Sequence, residues 1–83
     1  MALLIPPDVL KQLAKIPKVD RRRLLDALDM IAADPAKRFP FMTQMVGQHG
    51  VWRLRKGDWR AVFRIHDADV VLDRVGHRKE VYR

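Results

Sequence analysis

The stretch Val51–Ile65, which reads VWRLRKGDWRAVFRI, decides the fold that this chain is expected to adopt. Apolar and basic residues alternate on both sides of Lys56-Gly57-Asp58, a pattern typical of two short strands joined by a tight turn. Because successive side chains on a strand point to opposite faces, each strand can bury one row and expose its arginines on the other. Such a face is suited to phosphates, because the planar guanidinium group bonds them bidentately. The arginines expected to share it are Arg53, Arg55, Arg60 and Arg64.

Length and charge limit the possible classes of protein. A chain of 83 residues is expected to form one domain, residues 1–83, with a single modest core. It has 17 Lys and Arg against 10 Asp and Glu, a net charge of +7, which indicates a polyanionic partner such as nucleic acid, an acidic protein or an anionic membrane. The chain has no cysteine, which excludes disulfides and thiolate metal sites and fits a cytoplasmic protein.

A membrane partner is not expected. No apolar run approaches the roughly 20 residues that span a bilayer. The apolar start of the chain stops at Pro6-Pro7 and lacks a basic leader, so it does not resemble a signal peptide. Neither predicted helix combines a basic face with large aromatic residues, as a helix lying on a membrane surface would.

The first half of the chain predicts one strand and two helices. Ala2–Ile5 is expected to be a brief strand at a sheet edge, and Pro7 with Asp8 suits the start of a first helix that ends before Pro17. Asp20 is the expected N-cap of a second helix, which ends at Asp34-Pro35. The short proline-containing link predicts an antiparallel helical hairpin. The apolar positions at helical spacing are Val9, Leu10, Leu13 and Ile16, then Leu24, Leu25, Leu28 and Ile31.

The second half predicts strands. Thr43–Val46 is either a short strand or an irregular lead-in to the central hairpin, and Asp67-Ala68-Asp69 forms the next turn. Val70–Val75 is a further strand that Gly76 closes. The expected fold is therefore α+β, with an N-terminal strand and a helical hairpin on one face of a three- to four-stranded antiparallel sheet. The arginine-bearing face would remain open.

Two segments, WRLRKGDWRAVFRI and VVLDRVGHRKEVYR, resemble the RelE/ParE superfamily of bacterial type II toxin–antitoxin toxins. The specific features are the Trp-Arg-Leu-Arg strand, the Gly-Asp-Trp-Arg turn and the terminal Gly-His-Arg-Lys-Glu-Val-Tyr. This ending looks more like the RelE branch, which the resemblance implies cleaves messenger RNA in the ribosomal A site. The ParE branch is implied to poison DNA gyrase. The implied partners are a cognate antitoxin, the ribosome with its mRNA, and operator DNA in a higher-order toxin–antitoxin complex.

The resemblance also assigns roles to individual residues. Arg60 and Arg78 match the family arginines that neutralise the scissile phosphate, and Tyr82 matches the tyrosine that orients the nucleotide or assists proton transfer. Arg53 and Val51 replace two strand lysines of the best-known branch. The candidate residues for binding RNA phosphates are Arg53, Arg55, Lys56, Lys79 and Arg83.

Those two replacements leave the general base open. Arginine stays protonated, so Arg53 cannot accept the proton of a 2′-hydroxyl, and a valine cannot act at all. An unperturbed histidine has a pKa of about 6.5, which makes His77 the leading candidate for proton transfer and Tyr82 the second. The three histidines lack the spacing of zinc ligands, so neither a metal nor a cofactor is expected.

Three functions therefore compete. The first is a metal-independent endoribonuclease that cleaves ribosome-bound mRNA through attack of the 2′-hydroxyl on the phosphate. The second is a gyrase inhibitor of the ParE kind. The third is an inert homologue that acts only through a complex with its antitoxin and operator.

Overall fold

Two helices pack on one face of a five-stranded sheet in the computed structural model, which describes residues 2–81. The strand order is β1-β5-β4-β3-β2, and every neighbouring pair is antiparallel except β1 with β5. This confirms the α+β class and the predicted strand at the sheet edge near the start of the chain. The sheet has five strands rather than three to four, because β1 pairs in parallel with β5 and adds to the four antiparallel strands. The elements in chain order are β1 (Leu3–Leu4), α1 (Pro7–Ala14), α2 (Lys18–Ala33), β2 (Met42–Gln44), β3 (Val51–Lys56), β4 (Trp59–His66) and β5 (Asp69–His77).

Prolines set the start of both helices. Pro7 occupies a first-turn position of α1, where its fixed φ suits the helix and its missing N–H costs nothing. The extended Pro17 is the N-cap of α2, and its carbonyl accepts a 2.8 Å hydrogen bond from the N–H of Arg21. The expectation that Asp20 caps this helix is therefore wrong. Asp20 lies within the first turn, where its charge complements the helix dipole.

The core lies between the helices and the inner face of the sheet. Phe63 on β4 is at its centre with 0% relative exposure, and it belongs to one continuous apolar cluster. Trp52 and Ile65 pack at the margin of this cluster, in agreement with their apolar alternation. The other side chains with 0% or 1% exposure are Val9, Leu24, Leu28, Ile31, Leu54, Val70 and Leu72, together with the small Ala61.

The hairpin turn is one residue shorter than the predicted Lys56-Gly57-Asp58, because Lys56 belongs to β3. Lys56 pairs with Trp59, which leaves two residues in the turn, and Gly57 has a φ of 58° that glycine adopts without strain. The strand β5 runs through Gly76, which pairs with Arg60, so the expectation that Gly76 closes this strand is wrong.

A β-bulge interrupts the pairing of β4 with β5. Val62 pairs with Arg74 and Phe63 pairs with Leu72, so Asp73 has no partner residue on β4. The extra residue changes which side chains face inward, and both Leu72 and Val75 are therefore buried. Strict alternation along β5 would have buried only one of them. No helix within residues 2–81 is long and apolar enough to cross a membrane.

Replacing Phe63 by alanine should destabilise the fold by about 3–5 kcal/mol, because it removes a large side chain from the centre of the core. The measurement is the free energy of unfolding from urea denaturation. Val46→Ala is the control, since Val46 is 99% exposed and should change stability by less than about 0.5 kcal/mol. A loss below about 1 kcal/mol for Phe63→Ala would contradict this account of the core.

Candidate nucleic-acid interface

A groove of about 450 Å³ lies on the outer face of the sheet, opposite the helices, and its lining is mainly cationic. Arg53 and Arg55 alternate with the fully buried Leu54, which places both arginines on the outer face. Arg60 lies directly opposite Arg55 in the β3–β4 register. The lining residues are Thr43, Arg53, Arg55, Arg60, Arg78 and Lys79.

Arg60 is held by the hairpin turn beside it. Its Nη1 donates hydrogen bonds to the carbonyl oxygens of Gly57 at 2.7 Å and Trp59 at 2.9 Å. Both contacts use the same nitrogen, so they orient the guanidinium group through one of its ends. A guanidinium group held in this way needs less ordering when an anion binds, which favours affinity.

Arg78 reaches the groove because the chain after β5 contacts the β3–β4 turn. The backbone N–H of Arg78 donates to the carbonyl oxygen of Asp58 at 2.8 Å, and its Nε lies 3.4 Å from the Asp58 carboxylate. The two side chains are 55% and 66% exposed, so the ion pair is a weak surface contact. Asp58 therefore connects two segments that are 20 positions apart in the sequence.

Two predicted cations lie outside the groove. Arg64 shares the outer face, but its Nε and Nη2 donate to the Asp73 carboxylate at 2.8–3.1 Å. The hydrogen bond and then the charge of Asp73 raise the pKa of the Arg64 guanidinium above its ordinary value. Lys56 lies on the opposite face, where its Nζ is 4.6 Å from the centre of the Phe41 ring. Its separation from Arg55 follows from the alternation of β3.

His77 is not among the residues that line the groove. It contributes instead to a cavity of about 530 Å³ at the end of the sheet, where its ring packs edge-on against Trp59 at 5.5 Å. Its Nδ1 accepts a 3.2 Å hydrogen bond from the N–H of Lys79. The structure thus separates the leading candidate for proton transfer from the arginines. Tyr82 and Arg83 lie outside the described residues.

The electrostatics of the groove favour an anionic ligand. Five of the six lining residues carry a positive charge and none is acidic, while Asp58 contacts Arg78 from the turn. Like charges directly opposite one another on neighbouring strands repel, as Arg55 and Arg60 do here. A phosphate bound between them would relieve that repulsion.

The model of the family described as the ParE toxin of the type II toxin–antitoxin system, parDE, matches residues 3–82. The chain belongs to this family. It is therefore a toxin of a type II toxin–antitoxin system, and the predicted membership of the RelE/ParE superfamily is confirmed. No curated protein sequence matches the chain.

Solved structures with the same fold include RelE toxins. In the RelB–RelE complex from Methanococcus jannaschii the match has a TM-score of 0.80 at 21% identity, covering 95% of this chain and 94% of that one. The archaeal RelE–RelB complex from Pyrococcus horikoshii OT3 matches with a TM-score of 0.78 at 25% identity, over 96% and 97% of the chains. The isolated E. coli RelE toxin matches with a TM-score of 0.77 at 19% identity, covering 90% of this chain and 81% of that one.

Sequence reasoning missed two residues at the groove of this ParE-family toxin. Thr43 lines the groove because it lies on the edge strand β2 and pairs with Arg53. It is uncharged, so no charge pattern in the sequence indicated this position. Asp58 had a signal, since it is the one acid among the bases between Arg53 and Arg64. What the sequence did not show is that Arg78 would be its partner.

Replacing Asp58 by asparagine should loosen the Arg78 side chain, because the charge that attracts its Nε is removed while the backbone hydrogen bond remains. In ¹H–¹⁵N spectra of arginine side chains, the Arg78 Nε–H signal should shift and exchange faster with water. Stability should change by less than about 1 kcal/mol.

The matched control for that experiment is Asp67→Asn in the turn between β4 and β5, where the carboxylate lies 3.3 Å from the His66 ring. This variant should leave the Arg78 signal unchanged. Identical Arg78 signals in wild type and Asp58→Asn would show that the carboxylate does not hold the guanidinium group.

Proposed function

We propose that this toxin cleaves messenger RNA bound to the ribosome, and that the cationic groove holds the phosphate at which the RNA is cut. The observation that supports this most strongly is the gathering of five cationic side chains on a sheet face that the helices leave uncovered. Phosphate contacts dominate the affinity of proteins for nucleic acids, and arginine is the side chain best shaped to make them.

The proposed chemistry needs no bound group. The 2′-hydroxyl oxygen attacks the adjacent phosphorus, the bond from phosphorus to the 5′-oxygen breaks, and a 2′,3′-cyclic phosphate forms. Solvent water accepts the proton of the 2′-hydroxyl, and a water molecule protonates the departing 5′-oxygen. Negative charge grows on the phosphate oxygens during this step. Arg60 and Arg78 would stabilise that charge, which is the kind of contact worth about 10²–10³ in rate.

Proton transfer is the weaker part of this chemistry in the present chain. The groove-lining residues among the described part of the chain are arginines, a lysine and a threonine, and none of these types is a base near neutral pH. We propose that catalysis relies mainly on charge stabilisation and on placement of the RNA by the ribosome. Orientation alone can supply about 7–11 kcal/mol of a barrier in favourable cases.

A cognate antitoxin is the second proposed partner. The relatives from Methanococcus jannaschii and Pyrococcus horikoshii were solved as RelB–RelE and RelE–RelB complexes. An acidic segment of such an antitoxin would neutralise the groove and block access of RNA to it. The same complex would bind its operator DNA. Because its target is the translating ribosome, the proposed place of action is the cytoplasm.

Replacing Arg60 or Arg78 by alanine should lower cleavage of ribosome-bound mRNA by about 10²-fold or more and restore growth on induction, since each change removes charge from the transition state. Primer extension on mRNA from translating extracts measures the cleavage. Arg64→Ala is the matched control, because that arginine shares the outer face but is paired with Asp73. It should keep activity within a few-fold of wild type. Equal losses in all three variants would refute a role specific to the groove.

His77→Ala should retain most of the cleavage activity, because the imidazole lies outside the groove. Loss of a true general acid or base costs about 10²–10⁴-fold. The same primer-extension assay, run across pH, distinguishes the two cases. A loss in that range, together with a changed pH profile, would return His77 to the role of proton carrier.

Gyrase inhibition is the second candidate function. It is favoured by the family model, which describes ParE toxins, and by the lack of a base among the described groove residues. Pulse labelling after induction separates the candidates, since a ribonuclease stops protein synthesis first and a gyrase poison stops DNA synthesis first. Normal synthesis of both would point instead to a chain that acts only through its antitoxin and operator.

A further inference from the structure

We propose a second RNA contact on the inner side of the sheet, at the surface we call the aromatic flank. This inference rests on the proposed function, because it extends the path of the same RNA strand beyond the groove. The flank joins three aromatic rings to three cations near the edge strand β2. Its members are Lys37, Arg38, Phe39, Phe41, Trp52 and Lys56.

The flank is a continuous stack of rings and cations. The rings of Phe39 and Phe41 are stacked with centres 5.2 Å apart and planes 18° apart. The Nζ of Lys37 lies 5.0 Å from the centre of the Phe39 ring, and the Nζ of Lys56 lies 4.6 Å from the centre of the Phe41 ring. All four side chains therefore form one assembly that covers the margin of the core.

Arg38 adds a planar cation to this surface. Its guanidinium carbon lies 4.5 Å from the centre of the Trp52 ring, and its Nη1 donates a 2.9 Å hydrogen bond to the carbonyl oxygen of Pro35. The residue is exposed, while Trp52 beneath it is half-buried. An exposed guanidinium group held above a ring offers its outer plane to a stacking base.

Within residues 2–81, no salt bridge neutralises the charge of the flank cations. None of the salt bridges between described residues includes Lys37, Arg38 or Lys56. Their positive charge is held above ring faces instead, which leaves it available to an external anion.

The flank is continuous with the groove around the edge of the sheet. Arg55 and Lys56 are neighbours on β3, so one points into the groove and the other toward the flank. The N–H of Arg55 also donates a 3.0 Å hydrogen bond to the carbonyl oxygen of Phe41. An RNA chain that leaves the groove past Thr43, on the edge strand β2, would meet the flank next.

The chemistry of the flank fits single-stranded RNA. Proteins that bind single strands combine cations that follow the backbone with flat side chains on which bases stack. The flank supplies three cations and, as its flat face, the outer plane of the Arg38 guanidinium group, and the groove supplies the first phosphate contacts. An acidic protein segment would use the three charges but has no need of the flat face, and it is therefore the alternative that the experiment must exclude.

The test measures the affinity of the toxin chain for RNA by fluorescence anisotropy, with oligonucleotides carrying 2′-O-methyl groups so that they cannot be cleaved. A trinucleotide reaches only the groove, whereas a dodecanucleotide also reaches the flank. The flank variant replaces three cations by glutamine, and the control removes the same number and types of charge from exposed helix positions. The flank substitutions are Lys37→Gln, Arg38→Gln and Lys56→Gln, and the control substitutions are Lys11→Gln, Lys18→Gln and Arg23→Gln.

The flank variant should bind the dodecanucleotide about tenfold more weakly than wild type and the trinucleotide equally well. Each lost phosphate contact should also reduce the slope of log affinity against log salt by about 0.7. The control should match wild type on both RNAs within about twofold, apart from a small long-range charge effect. Circular dichroism of each variant checks the fold, and the double variant without Lys56→Gln serves if the triple one unfolds.

Four results would overturn the inference. The flank variant binds the dodecanucleotide as wild type does, the control loses as much affinity as the flank variant, or the trinucleotide is affected equally. The fourth is a flank variant that keeps its affinity for both RNAs but binds a polyglutamate peptide, used as a model acidic segment in the same assay, more weakly than wild type, which would assign the surface to an acidic protein segment. If wild type itself binds neither RNA, the proposed function fails too, whereas wild-type binding that depends on Arg60 keeps it intact.

Discussion

The constraint on which the site depends is the register of the β3–β4 hairpin, which sets Arg55 directly opposite Arg60. The two-residue turn closed by Lys56 and Trp59 leaves no freedom in this register. A slip of one residue would move every side chain of one strand to the other face, burying arginines and exposing Leu54. The same alignment therefore builds the core on one side and the cationic groove on the other.

That alignment has an energetic cost, because it sets cations against each other across neighbouring strands. This repulsion is limited because the outer face is open to water, which screens the charges. Polar groups of the hairpin turn offset part of the remaining repulsion. Carbonyl oxygens of the turn accept hydrogen bonds from Arg60, and the Asp58 carboxylate attracts Arg78. The apolar cluster around Phe63 supplies the stability that allows a repulsive face to persist. A site of this kind is prepared for an anion before any anion binds.

Patterns that act over a few residues were predictable. Alternation along the hairpin was enough to assign Arg53, Arg55 and Arg60 to one face, and helical spacing was enough to place α1 and α2 against the core. The prolines marked the helix boundaries, although Pro17 rather than Asp20 caps α2 because its carbonyl accepts the first helical hydrogen bond. The motifs at the hairpin and at the end of the chain were also sufficient to predict the toxin superfamily.

By itself, then, the sequence determined the fold class, the open basic face and the family, because these follow from periodicity and from local motifs. Only the tertiary structure decided which of the candidate residues meet. Arg78 joins the groove through Asp58, while His77 one position earlier packs against Trp59 in another cavity. Asp73, the extra residue of the bulge, supplies the carboxylate that pairs with Arg64, which is not among the groove-lining residues. These outcomes depend on contacts between distant segments and on one inserted residue. Neither can be predicted from the periodicity of the sequence, because periodicity reports only on residues within one helix or strand.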